Sequence, residues 1–166
     1  MKSKLGDRIV IIGCPGSGKS TLSRQLHSKT GIPLYHLDNI WWKKDRSHIC
    51  RDDFDNELQS IMKNDRWIID GDYSRTYEIR FIHCDTVIFL DYDTDICLKG
   101  IKERLSTERS DMPWIEDRLD KDLINQVNNY HKNNRVMIYN LIEKYKDKQI
   151  LIFSSRNETD EWISNL

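Results

Sequence analysis

The sequence predicts an α/β fold, a parallel sheet with helices on both faces. Short apolar runs rich in β-branched residues alternate with stretches of helical periodicity along the chain. That alternation builds parallel sheets through right-handed crossovers. The first run, Arg8-Ile9-Val10-Ile11-Ile12, leads straight into Gly13-Cys14-Pro15-Gly16-Ser17-Gly18-Lys19-Ser20. This is a complete Gly-x4-Gly-Lys-[Ser/Thr] phosphate-binding loop in the strand–loop–helix context it requires. Its glycines let successive N–H groups turn toward phosphate oxygens, and the following helix adds its positive dipole end.

The elements follow in order. Apolar spacing over 21–26 predicts the first helix, which Gly31-Ile32-Pro33 stops. Residues 34–38 read as a short strand ending in Asp38, with Trp41 and Trp42 just beyond. Over 51–64, Phe54, Leu58, Ile61 and Met62 share one helical face, and Asp52 and Asp53 suit the positive end of the dipole. Residues 67–70 form a third strand closed by Gly71, and 86–91 a fourth ending in Asp91. Helices are expected over about 94–105 and, with an interruption, over about 115–145, where the Asn-rich run 125–134 keeps a helical pattern. A fifth strand at 149–154 and a helix over about 157–165 complete the chain.

A length of 166 residues suits one domain. With 26 basic and 27 acidic side chains, the net charge of −1 supplies no global field for duplex nucleic acid. No apolar run approaches the ~20 residues of a membrane span, and the basic start Met1-Lys2-Ser3-Lys4 lacks a signal core behind it. The cysteines Cys14, Cys50, Cys84 and Cys97 make no Cys-x-x-Cys or zinc-type spacing. Reduced thiols in a cytoplasmic protein are the expectation, with Cys14 read as a filler residue of the loop, the alternative being a thiol whose pKa the nearby helix N-terminus lowers.

Ligands of such sheets bind at the carboxyl ends of the strands, where the loop, Asp38, Asp70 and Asp91 are all expected. Phosphoryl transfer needs positioning and charge neutralisation more than covalent help. Lys19 is expected to reach the β- and γ-phosphates of ATP, Ser20 to bind Mg²⁺, and the amides of Gly16, Ser17 and Gly18 to cradle oxygens. Gly13, Pro15 and Thr21 complete the nucleotide-binding stretch. Asp70 and Asp91 compete for the metal, and Asp70 is favoured because Arg75 follows within the same segment. Asp38 either activates an acceptor hydroxyl, with a tryptophan as apolar wall, or caps a turn with the tryptophans in the core. His36 is expected to pack within its strand. Arg104 and Arg109 precede Pro113 on a segment that would cover the nucleotide and stabilise transferred charge.

Several spaced motifs now carry a resemblance. The phosphate loop, Ile-Pro-Leu-Tyr-His-Leu-Asp (32–38), Asn-Ile-Trp-Trp (39–42), Trp-Ile-Ile-Asp-Gly-Asp-Tyr-Ser (67–74), Thr-Val-Ile-Phe-Leu-Asp (86–91) and Arg-Ser-Asp-Met (109–112) resemble those of topology-modulation (FlaR-type) proteins, a branch of the adenylate-kinase-like P-loop fold. The resemblance implies a three-layer α/β/α P-loop NTPase with five strands in the order 2-3-1-4-5, one kinase-like domain over 1–166, and a short lid over about 105–117. It implies that Asp70 serves magnesium, that Arg75 serves the acceptor, and that Ser154, Ser155 and Arg156 lie near the adenine. Gly100 stands where many such kinases carry a first lid arginine, one helical turn before Arg104, so an ordinary adenylate kinase is not implied. The expected activity is ATP- and Mg²⁺-dependent transfer to a nucleotide, nucleoside or other small acceptor. The alternative is a nucleotide-binding regulator linked to DNA topology, which the family name suggests and no residue pattern supports. Oligomeric state is left open.

Overall fold

The computed structural model of the protein describes residues 4–166; the basic start at 1–3 lies outside them. Five parallel strands form one sheet in the order β2-β3-β1-β4-β5: β1 (Arg8–Gly13), β2 (Leu34–His36), β3 (Trp67–Asp70), β4 (Thr86–Leu90) and β5 (Gln149–Phe153). The central strands are apolar on both faces. Ile9, Val10, Ile11 and Ile12 are fully buried, as are Ile68, Ile69, Val87, Ile88 and Phe89. Burial on both faces is what continuous β-branched runs signify in parallel sheets.

Helices α1 (Lys19–Thr30), α2 (Leu37–Trp41), α3 (Arg51–Met62), α4 (Tyr77–His83), α5 (Thr94–Glu103), α6 (Lys121–Asn129), α7 (Asn134–Lys144) and α8 (Arg156–Ser164) connect and cover the strands. Leu22 and Leu26 of α1 and Phe54, Leu58 and Ile61 of α3 are buried in the common core, the faces their spacing predicts.

Three local expectations are corrected. The second strand ends at His36 rather than Asp38. Its neighbour β3 ends at Asp70, in register with His36, so residues 37–38 have no strand to pair with and turn into α2 around the buried Leu37. A short 3-10 turn (Ser74–Thr76) and α4 follow β3. Helical patterning hides this element because the inward face of α4 carries the fully buried Arg80 beside Tyr77 and Phe81. The helix expected with an interruption over about 115–145 begins only at Lys121, and its break falls inside the Asn-rich run expected to be helical. Asp120 accepts from the amide of Asp122 and starts α6, and the chain breaks after Asn129 because buried Tyr130 is anchored through its hydroxyl to Asp72.

Candidate active site

The phosphate loop sits between the end of β1 and the start of α1. No acid stands in the first turn of α1, so the dipole end is uncompensated by the chain. The loop packs so tightly on α5 that its neighbours admit no side chain. A Cβ on Gly16, whose φ is 84°, would stand 2.1 Å from the Cys97 carbonyl oxygen, and one on Gly100 would stand 2.0 Å from the Gly16 carbonyl oxygen. Gly100 is therefore required by packing at the position where a lid arginine might be sought. Cys14 and Cys97 are buried as free thiols at this same junction. The Cys14 thiol is held up, by hydrogen bonding to Cys97 and by burial, against the alternative of a value lowered by the helix end.

Lys19 Nζ donates to the Cys14 carbonyl at 3.2 Å, folded back on the loop. The Ser17 hydroxyl is buried and has no hydrogen-bond partner among the described residues. Pro15, Gly16, Gly18, Ser20 and Thr21 line a cleft of about 1380 Å³ that runs from the loop to α2 and the segment 105–117. Arg156, at the start of α8, donates to the Gly16 carbonyl at 3.3 Å and so stands over the loop itself. Ser154 and Ser155 instead bond Glu158 and cap α8.

Of the competing acids, Asp70 lies in the cleft and Asp91 is already engaged. Arg135 grips Asp91 at 2.8 and 2.9 Å and Tyr139 donates to it at 2.7 Å. Asp70 is 4% exposed, and Ser23 Oγ (3.0 Å) and His36 Nδ1 (2.7 Å) both address its Oδ2. Its Oδ1 accepts no hydrogen bond among the described residues. Ser23 Oγ also reaches the Ser20 carbonyl at 2.9 Å, tying the carboxylate to the end of the loop. His36, expected as packing, thus lines the cleft and orients Asp70.

Asp38 lines the cleft from the first turn of α2. Tyr73 donates to its Oδ1 at 2.7 Å, and Oδ2 takes no hydrogen bond among the described residues. Burial raises the Asp38 carboxyl above its ordinary value; the Tyr73 bond and the Lys19 charge oppose that rise without cancelling it. Tyr73 adopts φ 30° and ψ 71°, a left-handed conformation that costs a bulky residue about 1–3 kcal/mol. Arg80 holds it there, donating to the carbonyls of Gly71 (2.8 Å), Asp72 (2.6 Å) and Tyr73 (3.4 Å) and to Thr76. Asp72 in turn accepts from Tyr77, Tyr130 and Asn134. Neither Tyr73 nor Arg80 stands out in the sequence; the one sign is that Tyr73 lies three residues beyond a strand-ending acid.

The tryptophans both pack and line. Trp41 stacks on His48 at 4.4 Å and meets Phe54 edge-on, while Trp42 meets Trp114 edge-on at 5.2 Å, joining α2 to the segment 105–117. Ser110 secures that segment further by accepting from Arg24 and Asn39. Arg109 pairs with both oxygens of Asp111 at 3.0 and 2.7 Å and with Glu116 at 2.7 Å. Burial pushes the Asp111 carboxyl up, but the Arg109 guanidinium overrides it and holds the group down at about 2. Arg104 Nε lies 3.0 Å from Glu116 without hydrogen-bond geometry, a buried donor left unsatisfied. Burial, then repulsion from Arg109, lowers the Arg104 pKa.

Arg75 is the expected site residue that the structure does not bring in. Both its terminal nitrogens bond Asp55 on α3, at 2.9 and 2.7 Å, outside the main cleft. The chain turns at the strained Tyr73, and Arg75 beyond it faces α3.

The sheet order and the loop at its switch point define a P-loop NTPase with the fold of P-loop kinases. Residues 9–124 match the family model described as an AAA domain, and the chain belongs to that family. No curated protein matches it. The fold is similar to shikimate kinase from Aquifex aeolicus (18% identity, TM-score 0.58, 95% of this chain and 92% of that one). It is also similar to shikimate kinase from Acinetobacter baumannii in complex with shikimate (12% identity, TM-score 0.63, covering 96% and 90%). Shikimate kinase from Bacteroides thetaiotaomicron gives 17% identity and TM-score 0.57, covering 95% and 94%. Among the described residues no helix is long and apolar enough to cross a membrane.

Proposed function

We propose that this protein is an ATP- and Mg²⁺-dependent phosphotransferase that moves the γ-phosphoryl group to a hydroxyl of a small molecule. The observation that carries the reading is Asp38. It is a carboxylate on the wall of the phosphate-loop cleft, with one oxygen fixed by Tyr73 and the other unbonded among the described residues. A hydrolase of nucleoside triphosphates would not need aromatic walls along the cleft that holds that acid.

The loop amides and Lys19 hold the triphosphate; Lys19 exchanges one 3.2 Å bond to its own loop for a phosphate oxygen. Ser17 Oγ and Arg104 Nε, both buried donors without partners, are suited to phosphate oxygens. The donor set also fits magnesium, which takes one or two carboxylates or hydroxyls and keeps its waters. Asp70, with Oδ1 unbonded, and Ser20 would hold it. When bound, the ion neutralises charge on the phosphates. Asp38 accepts the acceptor's hydroxyl proton as the oxygen attacks in line. Segment 105–117 acts as the lid of a single domain spanning 1–166, with Arg104 and Arg109 brought to the transferring group. Arg156 steadies the loop beneath the nucleotide. The finer resemblance to topology-modulation proteins belongs to this proposal, supported by motifs that surround one cleft.

The test is a screen of small metabolites with γ-labelled ATP. Transfer to at least one acceptor is expected. Tight ATP binding with no transfer to any of them overturns the reading.

A further inference from the structure

This inference rests on the phosphotransferase reading and narrows its acceptor. We infer that the acceptor is an uncharged alcohol bearing a flat unsaturated ring, of the nucleoside kind, and not an anion such as a nucleoside monophosphate or a sugar acid.

Charge decides the first half. An anionic acceptor needs a cation left over once the triphosphate is held. Arg75, placed to be that cation by its position in the chain, spends both terminal nitrogens on Asp55 outside the cleft. Arg109 is matched by Asp111 and Glu116, and Arg104 faces Glu116. Arg46 lies over the Trp114 ring and beside Asp117, Arg24 is held on Ser110 and Thr21, and Arg118 and Lys121, which also line the cleft, are exposed, so solvent screens their charge. More acidic than basic side chains line the cleft, and a triphosphate adds to the negative side. A cationic acceptor is disfavoured for the converse reason, because the acids are also engaged. Asp72 accepts from Tyr77, Tyr130 and Asn134, Asp70 from Ser23 and His36, and Asp111 from Arg109. Among the described residues Asp70 Oδ1, which the metal would take, and Asp38 Oδ2 accept no hydrogen bond, and Asp38 Oδ2 is enough for one hydroxyl.

Shape decides the second half. Trp41, Trp42, Tyr73 and Trp114 all line the cleft around Asp38. Trp42 and Trp114 stand at 83° to one another, so one presents an edge where the other presents a face. Trp41 is steadied by Phe54 and His48 behind it. Rigid aromatic walls of this kind hold planar rings at little entropic cost, whereas a purely aliphatic polyol gains little from them.

The test pairs matched acceptors under the same γ-labelled ATP assay: thymidine, cytidine, guanosine and pyridoxine against thymidine, cytidine and guanosine 5′-monophosphates and shikimate. At least one uncharged ring alcohol is expected to be phosphorylated with kcat/KM at least about 100-fold above every anion. Transfer confined to the anions, or to ring-free polyols such as glycerol, overturns this inference while leaving the kinase reading intact. Transfer to nothing at all overturns both. As a second measurement, Trp42→Ala is expected to raise the KM of the best acceptor about tenfold, with the KM of ATP unchanged. A KM that stays the same in the folded variant removes the aromatic wall from the account.

Discussion

At the residue scale, the chemistry of the proposed reaction rests on Asp38 and Lys19. Asp38→Asn keeps the shape of the side chain and its contact with Tyr73 but removes the base. Turnover is expected to fall at least ~10²-fold, with ATP binding by calorimetry preserved. The pH profile has a definite sign. Burial raises the carboxyl above its ordinary 3.8, and only the ionised form accepts a proton. Activity is therefore expected to drop as pH falls through a value displaced upward from that of a free aspartate. Tyr73→Phe removes a bond that lowers the value and moves the limb higher still. Lys19→Ala is expected to lose at least ~10² in turnover through loss of one preorganised charge contact; assays of purified variant at saturating ATP check it. Much of this was legible in the sequence. The spacing of Gly13, Gly18, Lys19 and Ser20 names the loop's chemistry because its backbone geometry is local. Tyr73 was not legible, because its role comes from a strained φ set by Arg80, seven residues further on.

Among elements, the contact between the phosphate loop and α5 is the most exacting. Gly100→Ala would place a methyl carbon 2.0 Å from the Gly16 carbonyl oxygen, so loop and helix must part. Overpacking of this sort costs about 1–3 kcal/mol, and weaker ATP binding by calorimetry is expected in a chain whose circular dichroism is unchanged. The segment after β3 behaves similarly around Arg80. Its fully buried guanidinium satisfies carbonyls that have no strand to pair with. Arg80→Leu leaves those carbonyls unpaired at about 1–3 kcal/mol each. A melting temperature lower by at least ~5 °C is expected in thermal unfolding. The sequence hid α4 for the same reason, since an arginine facing inward breaks the apolar stripe by which helices are recognised. The sequence favours Asp70 over Asp91 from Arg75 alone, and it does not show that Arg135, 44 residues away from Asp91, already engages that acid.

Across the whole molecule, the segment 105–117 bridges the two sides of the cleft through Ser110, Trp114, Arg109 and Arg104. Asp111 keeps this bridge charged. Its folded value, about 2, lies below that of the unfolded chain. The stability it contributes is therefore fully present above about pH 4 and is lost as pH falls toward 2. Fluorescence of the tryptophans during acid titration is expected to report loosening of Trp114 from Trp42 in that window, and Asp111→Asn is expected to abolish the pH dependence.

The residues alone determined the sheet, its parallel sense and the phosphate loop, because buried runs and a contiguous backbone motif are written over short stretches of chain. The strand order came with a string of motifs and holds in the structure. Tertiary structure alone decided which acids remain unengaged, which arginines are neutralised, and where the aromatic rings meet. Those outcomes depend on partners tens of residues distant, brought together only when the sheet closes and the core excludes water. Arg75 shows the difference: its place in the chain points at an acceptor, and a single carboxylate on another helix turns it away.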